Sequence, residues 1–249
     1  MNKNLIINKL NIKTFVKINM TDITYYHIKR VMQGKIKMPS AFKPLADWIN
    51  TTYDVKTINI VYRTIGQEKK PQLDICLEFE KDRLKFLNKK SYNFNQKKQR
   101  AVAEKFKAII EAHKPLADKC LFSFFKSKKA YSTEVEIIFS AFETAAKIEA
   151  NQCIDRDRVR LLQAFSESDE IWEIRPLYWG VTFFLYTNEQ LKAHENSKMR
   201  QIWTDKYFKL LKKYDEFGYF KRETFTIILD SKENFEKNCG GNWHGYYRY

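Results

Sequence analysis

An α+β fold is predicted by two hydrophobic periods that alternate along the chain and by the order in which the segments recur. Residues 72–80 alternate Leu73, Ile75, Leu77 and Phe79 with Asp74, Cys76, Glu78 and Glu80, the period of two that marks a strand with one face buried. Residues 97–113 instead place Val102, Phe106, Ile109 and Ile110 at helical spacing. The third observation is order: helix, strand, strand, helix, strand is read twice, over 40–125 and over 157–230, which points to an internal duplication. The expected architecture is antiparallel β-hairpins covered by helices. Residues 1–54 form a basic helical segment and residues 55–249 the α+β body.

Each element has a local reason. Thr21 or Asp22 caps a helix that runs to Met32, and Gly34 ends it; Pro39-Ser40 opens another carrying Phe42, Leu45, Ala46, Trp48 and Ile49. Residues 55–63 put Ile58, Ile60 and Tyr62 on one face, Gly66 to Pro71 turn the chain, and 72–80 return. The stretch 81–100 is basic and polar and reads as an exposed connection into the helix of 97–113. A second hairpin is expected from 120–125 and 132–140 around Lys126-Ser127-Lys128-Lys129, with Val135, Ile137 and Phe139 facing away from Glu134 and Glu136. Helices over 141–150 and 157–165, strands over 171–175 and 181–187, a long helix over 198–216 and a strand over 225–230 complete the second set.

Composition narrows the function classes. With 249 residues, 44% of them apolar, and only 7 Gly and 5 Pro, the chain has ample material for a core and is neither fibrous nor disordered. The segment from Met1 to Asn8 lacks the apolar stretch of a secretory signal, and no segment reaches bilayer length, so a cytoplasmic protein without membrane association is expected. Cys76, Cys120, Cys153 and Cys239 are far apart with no Cys-x-x-Cys pair, which predicts reduced thiols and neither disulfide framework nor zinc knuckle. Charge is the most informative property: residues 1–100 carry 21 Lys and Arg against 8 Asp and Glu, whereas residues 101–249 carry 24 against 22. A localised excess of that size attracts polyanions at long range.

Within the basic region, Ile23 and Thr24 open a helix, Ile28 and Val31 are its buried apolar positions, Gly34-Lys35 closes it, and Pro39-Ser40 starts the next. This pattern resembles the second half of a Cro/repressor-type helix-turn-helix. The resemblance implies a recognition helix with Thr24, Tyr25, His27 and Lys29 facing outward beside Arg30, and with Lys35 and Lys37 meeting phosphates; two ordinary helices packing on the sheet, with lysines solvating their outer faces, have the same pattern. A second basic run, residues 81–107, interleaves Lys89, Lys90, Lys97 and Lys98 with Phe86, Tyr92 and Phe94, a combination suited to gripping single strands; a lysine-rich loop that keeps the protein soluble, anchored to the core by Phe86 and Phe94, explains the same residues.

Catalytic signatures are sparse. Phe225 to Lys232 is an apolar strand ending in Asp230-x-Lys232, which resembles the strand-borne acid and lysine of metal-dependent nucleases of the restriction-enzyme type; Asp74 is the second acid only if the two strands adjoin. A strand ending in Asp-Ser to cap the next segment explains the same residues. His27, His113, His194 and His244 lack metal-ligand spacing, and neither a nucleophile elbow nor a phosphate-binding glycine loop is present. No cofactor or metal is expected. The C-terminus concentrates Trp243, Tyr246, Tyr247 and Arg248, residue types enriched at partner-binding hot spots, although an aromatic flap closing one end of a sheet has the same composition.

The expectation is a non-enzymatic cytosolic binding protein, capable of homo-oligomerisation, that contacts nucleic acid through its basic first 100 residues. The alternatives are an immunity or antitoxin-type protein that neutralises a partner protein presenting an acidic face, and a metal-dependent nuclease using Asp230 and Lys232.

Overall fold

The computed structural model describes residues 22–88, 91, 93–113 and 135–248, and the chain divides at 143/144 into two compact units. In the first, α1 (Asp22–Met32), a 3-10 turn (Ser40–Phe42) and α2 (Lys43–Tyr53) lead into β1 (Thr57–Ile65), β2 (Lys70–Leu77), α3 (Glu80–Leu84), α4 (Gln96–His113) and β3 (Glu136–Ala141); α5 (Phe142–Arg156) then crosses the boundary. β1 and β2 pair antiparallel, and β3 pairs parallel to β2, so the sheet order is β1-β2-β3.

Helices α2 and α4 cover one face of this sheet. Leu45, Ile49, Ile60, Leu73, Ile75, Leu77, Val102, Phe106, Ile137 and Phe139 form its core, and Phe86 stacks on Phe139 at 3.9 Å. The other face is also buried: Asp74, Cys76 and Ser140 lie within it, and α1 packs beside β1 there with Tyr25 stacked on Phe142 at 5.7 Å. Burial pushes the Asp74 carboxyl up, opposed by the hydrogen bond that Ser140 Oγ donates to it at 2.8 Å and by the charge of Arg63.

The end of α1 follows from Gly34. Its φ of 70° lets its N–H reach Val31 O and the Lys35 N–H reach Arg30 O, both at 2.9 Å, which satisfies the last carbonyls of the helix. Gly34→Ala is expected to cost about 1 kcal/mol, since a Cβ is strained there although nothing crowds it; a shift in the urea midpoint measures this.

The second unit continues with α6 (Arg158–Ala164), β4 (Ile171–Leu177), β5 (Gly180–Leu185), α7 (Asn188–His194), α8 (Lys198–Leu211), β6 (Ile228–Ser231), α9 (Lys232–Cys239) and α10 (Trp243–Arg248). Its sheet repeats the first, with β4 and β5 antiparallel and β6 parallel to β5. Ile174, Val181, Phe183 and Leu185 meet Trp203, Tyr207 and Leu211 of α8 on its core face.

Three local details recur with the topology. Each first strand shifts register near its start, between Thr57 and Asn59 and between Ile171 and Glu173. The helix after each third strand sends a glutamate to the opening N–H of a short helix: Glu143 Oε2 accepts from Glu80 N at 3.0 Å, and Glu233 Oε2 from Asn188 N at 2.9 Å. A polar side chain from the first turn of each long helix donates to a third-strand carbonyl or its approach, Gln99 Nε2 to Ile137 O at 2.5 Å and Arg200 Nη2 to Ile227 O at 2.9 Å. Both halves thus use one plan at the level of single hydrogen bonds.

The structure departs from the expected hairpins in one systematic way. The third strand of each sheet is parallel to its neighbour, which requires a crossover, and the long helices α4 and α8 supply it. β3 therefore pairs with β2, and its expected hairpin partner, 120–125, lies outside the described residues. The connection 81–100 is also more than a loop, because it contains α3, with Asp82 and Arg83 buried, and the fully buried Phe86. Residues 22–54 share the core of the first sheet through Leu45, Ala46 and Ile49, so the first unit extends well past residue 54. Among the described residues, no helix is long and apolar enough to cross a membrane.

Candidate nucleic-acid interface

Helical geometry decides which side of α1 is available. Residues four apart share a face, and α1 turns Thr24 and Ile28, together with Tyr25, toward the sheet. Thr24 is 8% and Tyr25 7% exposed, and Arg63 Nη1 approaches Thr24 Oγ1 at 3.5 Å. Neither faces outward as the helix-turn-helix resemblance implies, because Tyr25 is needed against Phe142. Lys29 is half-buried, its Nζ 5.9 Å from the centre of the Tyr25 ring. The outward face carries instead Tyr26, 56% exposed, with His27 and Arg30, and the turn that follows exposes Lys35 and Lys37. Tyr26 is the exposed aromatic of this face that the resemblance left out; its signal is its place one residue past Tyr25 on a helix anchored at Ile28.

Arg30, Lys35 and Lys37 have no ion pair among the described residues. Elsewhere in the first unit several lysines are answered: Lys43 by Asp47 at 2.8 Å, Lys70 by Glu68 at 2.9 Å, Lys56 by Glu78, and Lys85 by Asp54 and Asp82 at 3.5 Å. Residues 14–143 hold 25 Lys and Arg against 14 Asp and Glu, whereas residues 144–249 hold 17 against 16. The excess belongs to the first unit.

The described part of the second basic group does not join the first. α1 adjoins β1, while α4 adjoins β3 at the opposite edge of the sheet. Lys98 is a structural tie: its Nζ donates to Lys85 O at 2.6 Å and sits over the rings of Tyr53 and Phe86. Lys97 is exposed; Lys89 and Lys90 lie outside the described residues. Beside α4, a groove of about 590 Å³ runs along β3 and mixes Arg100 and Lys107 with Glu104 and Glu136, which gives it no single charge preference.

Asp230 and Lys232 do not assemble the acid pair that a metal centre needs. Asp230 lies on β6, which pairs with β5, and Asp74 lies on β2 in the other sheet. Asp230 is 2% exposed and receives Ser231 N at 2.8 Å, Asn234 Nδ2 at 2.7 Å and Tyr246 O–H at 2.5 Å, while Ser231 Oγ caps α9 by accepting from Asn234 N at 3.0 Å. Lys232 turns away to Glu236 at 3.7 Å. Among the described residues no group of three or more His, Cys, Asp and Glu side chains is placed to hold a metal ion.

The C-terminal aromatics close the second face of the second sheet. Tyr246 is buried against Phe184 and Phe235, so it is no partner contact; Trp243 stacks on Phe235 at 4.1 Å and Tyr247 beside it is part-exposed. The side chain of Arg248 lies outside the described residues. Comparison with known proteins finds no match: no family model, no curated protein and no solved structure aligns with the chain.

Proposed function

We propose that this protein binds nucleic acid through its first unit, with the outward face of α1 and the turn after it as the contact surface. The observation that carries the reading is that Arg30, Lys35 and Lys37 are exposed beside Tyr26 and His27 with no carboxylate answering them among the described residues. Cations of this kind gain by displacing condensed counterions from phosphates, and an exposed tyrosine offers a ring to a base or sugar. The Gly34 turn fixes where the two lysines leave the helix, so their charge is delivered from a defined place.

Binding of labelled duplex and single-stranded DNA, followed by fluorescence anisotropy, tests this. The wild-type protein should bind with a steep salt dependence, and Lys35→Glu/Lys37→Glu should weaken binding by at least about tenfold at low salt and flatten the log–log salt slope by about 2. Absence of binding at low salt, or an affinity the double reversal leaves alone, removes the reading. Tyr26→Ala separates stacking from charge, since it should lower affinity without changing the salt slope.

A further inference from the structure

The side chain of Arg175 on β4 has no hydrogen bond among the described residues, although its Nε is buried. Its nearest carboxylate among the described residues is Glu173, 3.9 Å from Nε, and that oxygen is already taken: Arg158 Nη2 lies in close contact with Glu173 Oε1, and Ile174 N donates to it at 3.1 Å. Two guanidinium groups therefore share one carboxylate. Burial, and next the charge of Arg175, make the proton of Arg158 easier to lose, while Asp155 opposes them.

Arg175 also has a platform. Its guanidinium carbon sits 4.3 Å from the centre of the Trp243 ring, and Trp172 lies nearly parallel to Trp243, 11° apart with centroids at 6.0 Å. Lys232 Nζ stands 5.4 Å over Trp172. Trp172 is the extra residue of the β4 register shift, the device by which a strand re-aims one side chain. Both indoles and both cations remain part-exposed.

A guanidinium offers five donors in a planar fork that matches a phosphate, and adjacent indoles offer surface to a flat ring. We infer that Arg175, Lys232, Trp172 and Trp243 form a site for one nucleotide unit, with the phosphate on Arg175, which Trp243 supports from behind, and the base against Trp172. A phosphate there supplies the acceptor that Glu173 cannot, and cancels the surplus positive charge. The site is independent of α1, being built wholly within the second unit.

Titration of the full-length protein with a single-stranded oligodeoxyadenylate and, separately, with AMP, followed by tryptophan emission, tests the assignment. The strand should quench emission; Arg175→Gln should weaken that response by about tenfold or more, and Lys232→Gln by less. Both positions are part-exposed, so circular dichroism should show both variants folded. Lys35→Glu/Lys37→Glu should leave the quenching in place, which separates this site from the α1 surface. AMP quenching with the same dependence on Arg175 supports a site satisfied by a free nucleotide, and quenching by the strand alone supports one that needs the polymer. No quenching by either probe, or quenching that Arg175→Gln does not alter, overturns the inference.

Discussion

Phe86→Ala should lower stability by about 3–5 kcal/mol, the largest effect of any single substitution considered for this protein. The ring is completely buried, lies 3.9 Å from Phe139 in a near-parallel stack and meets Tyr53 edge-on at 4.9 Å. It also lies beneath the ammonium of Lys98. Truncation leaves a cavity between α4 and the sheet that the strands cannot collapse to fill, because β2 and β3 are tied by their register. Urea unfolding of wild type and variant measures the loss, and a cost below about 1 kcal/mol would place the ring outside the core.

The second large effect is at high pH. Burial pushes the phenols of Tyr207 and Tyr246 well above their ordinary value near 10, aided at Tyr246 by the charge of Asp230, and raises Tyr247 to about 12. The folded state keeps these groups protonated while the unfolded chain ionises near pH 10, so their contribution is intact below pH 10 and is lost as pH rises beyond it. The slope is about 1.4 kcal/mol per pH unit for each of Tyr207 and Tyr246, and Tyr247 stops contributing once pH passes about 12. Tyr246→Phe should cost about 2 kcal/mol at neutral pH by leaving the buried Asp230 one donor short, and should make the alkaline decline shallower. Urea midpoints of both proteins at pH 9 and pH 11 check this; parallel declines would refute a protonated Tyr246.

How much of this was legible beforehand depends on whether the signal was local. The alternation Leu73, Ile75, Leu77 marks β2, and the spacing Val102, Phe106, Ile110 marks the face of α4, because each is written in neighbouring residues. The polar side of β2 misleads for the same reason. Asp74 and Cys76 read as solvent-facing, yet both are buried. Strand direction was illegible, since the sequence of β3 is the same whether it pairs with a hairpin neighbour or, after a crossover, with β2. The candidate contacts divide along the same line. Arg30, Lys35 and Lys37 stand out by composition, whereas the outward placing of Thr24 and Tyr25 rests on analogy with a helix whose outer face includes two positions that α1 buries. Arg175 carried no signal at all: its significance arises only when Arg158, from helix α6, takes the carboxylate it would otherwise hold.

Helix α5 has a practical consequence for anyone wishing to study either half alone. Its opening residue stacks on Tyr25, its second residue secures the start of α3, and its later positions Ala150 and Ile154 are embedded in the other hydrophobic interior. The seam at 143/144 therefore falls within α5 itself. A fragment ending at 143 forfeits the hydrogen bonds that fix Phe142 in helical geometry, and one starting at 144 begins on a frayed turn. Excision of either half calls for keeping the whole helix on both pieces, so the workable fragments overlap over residues 142–156.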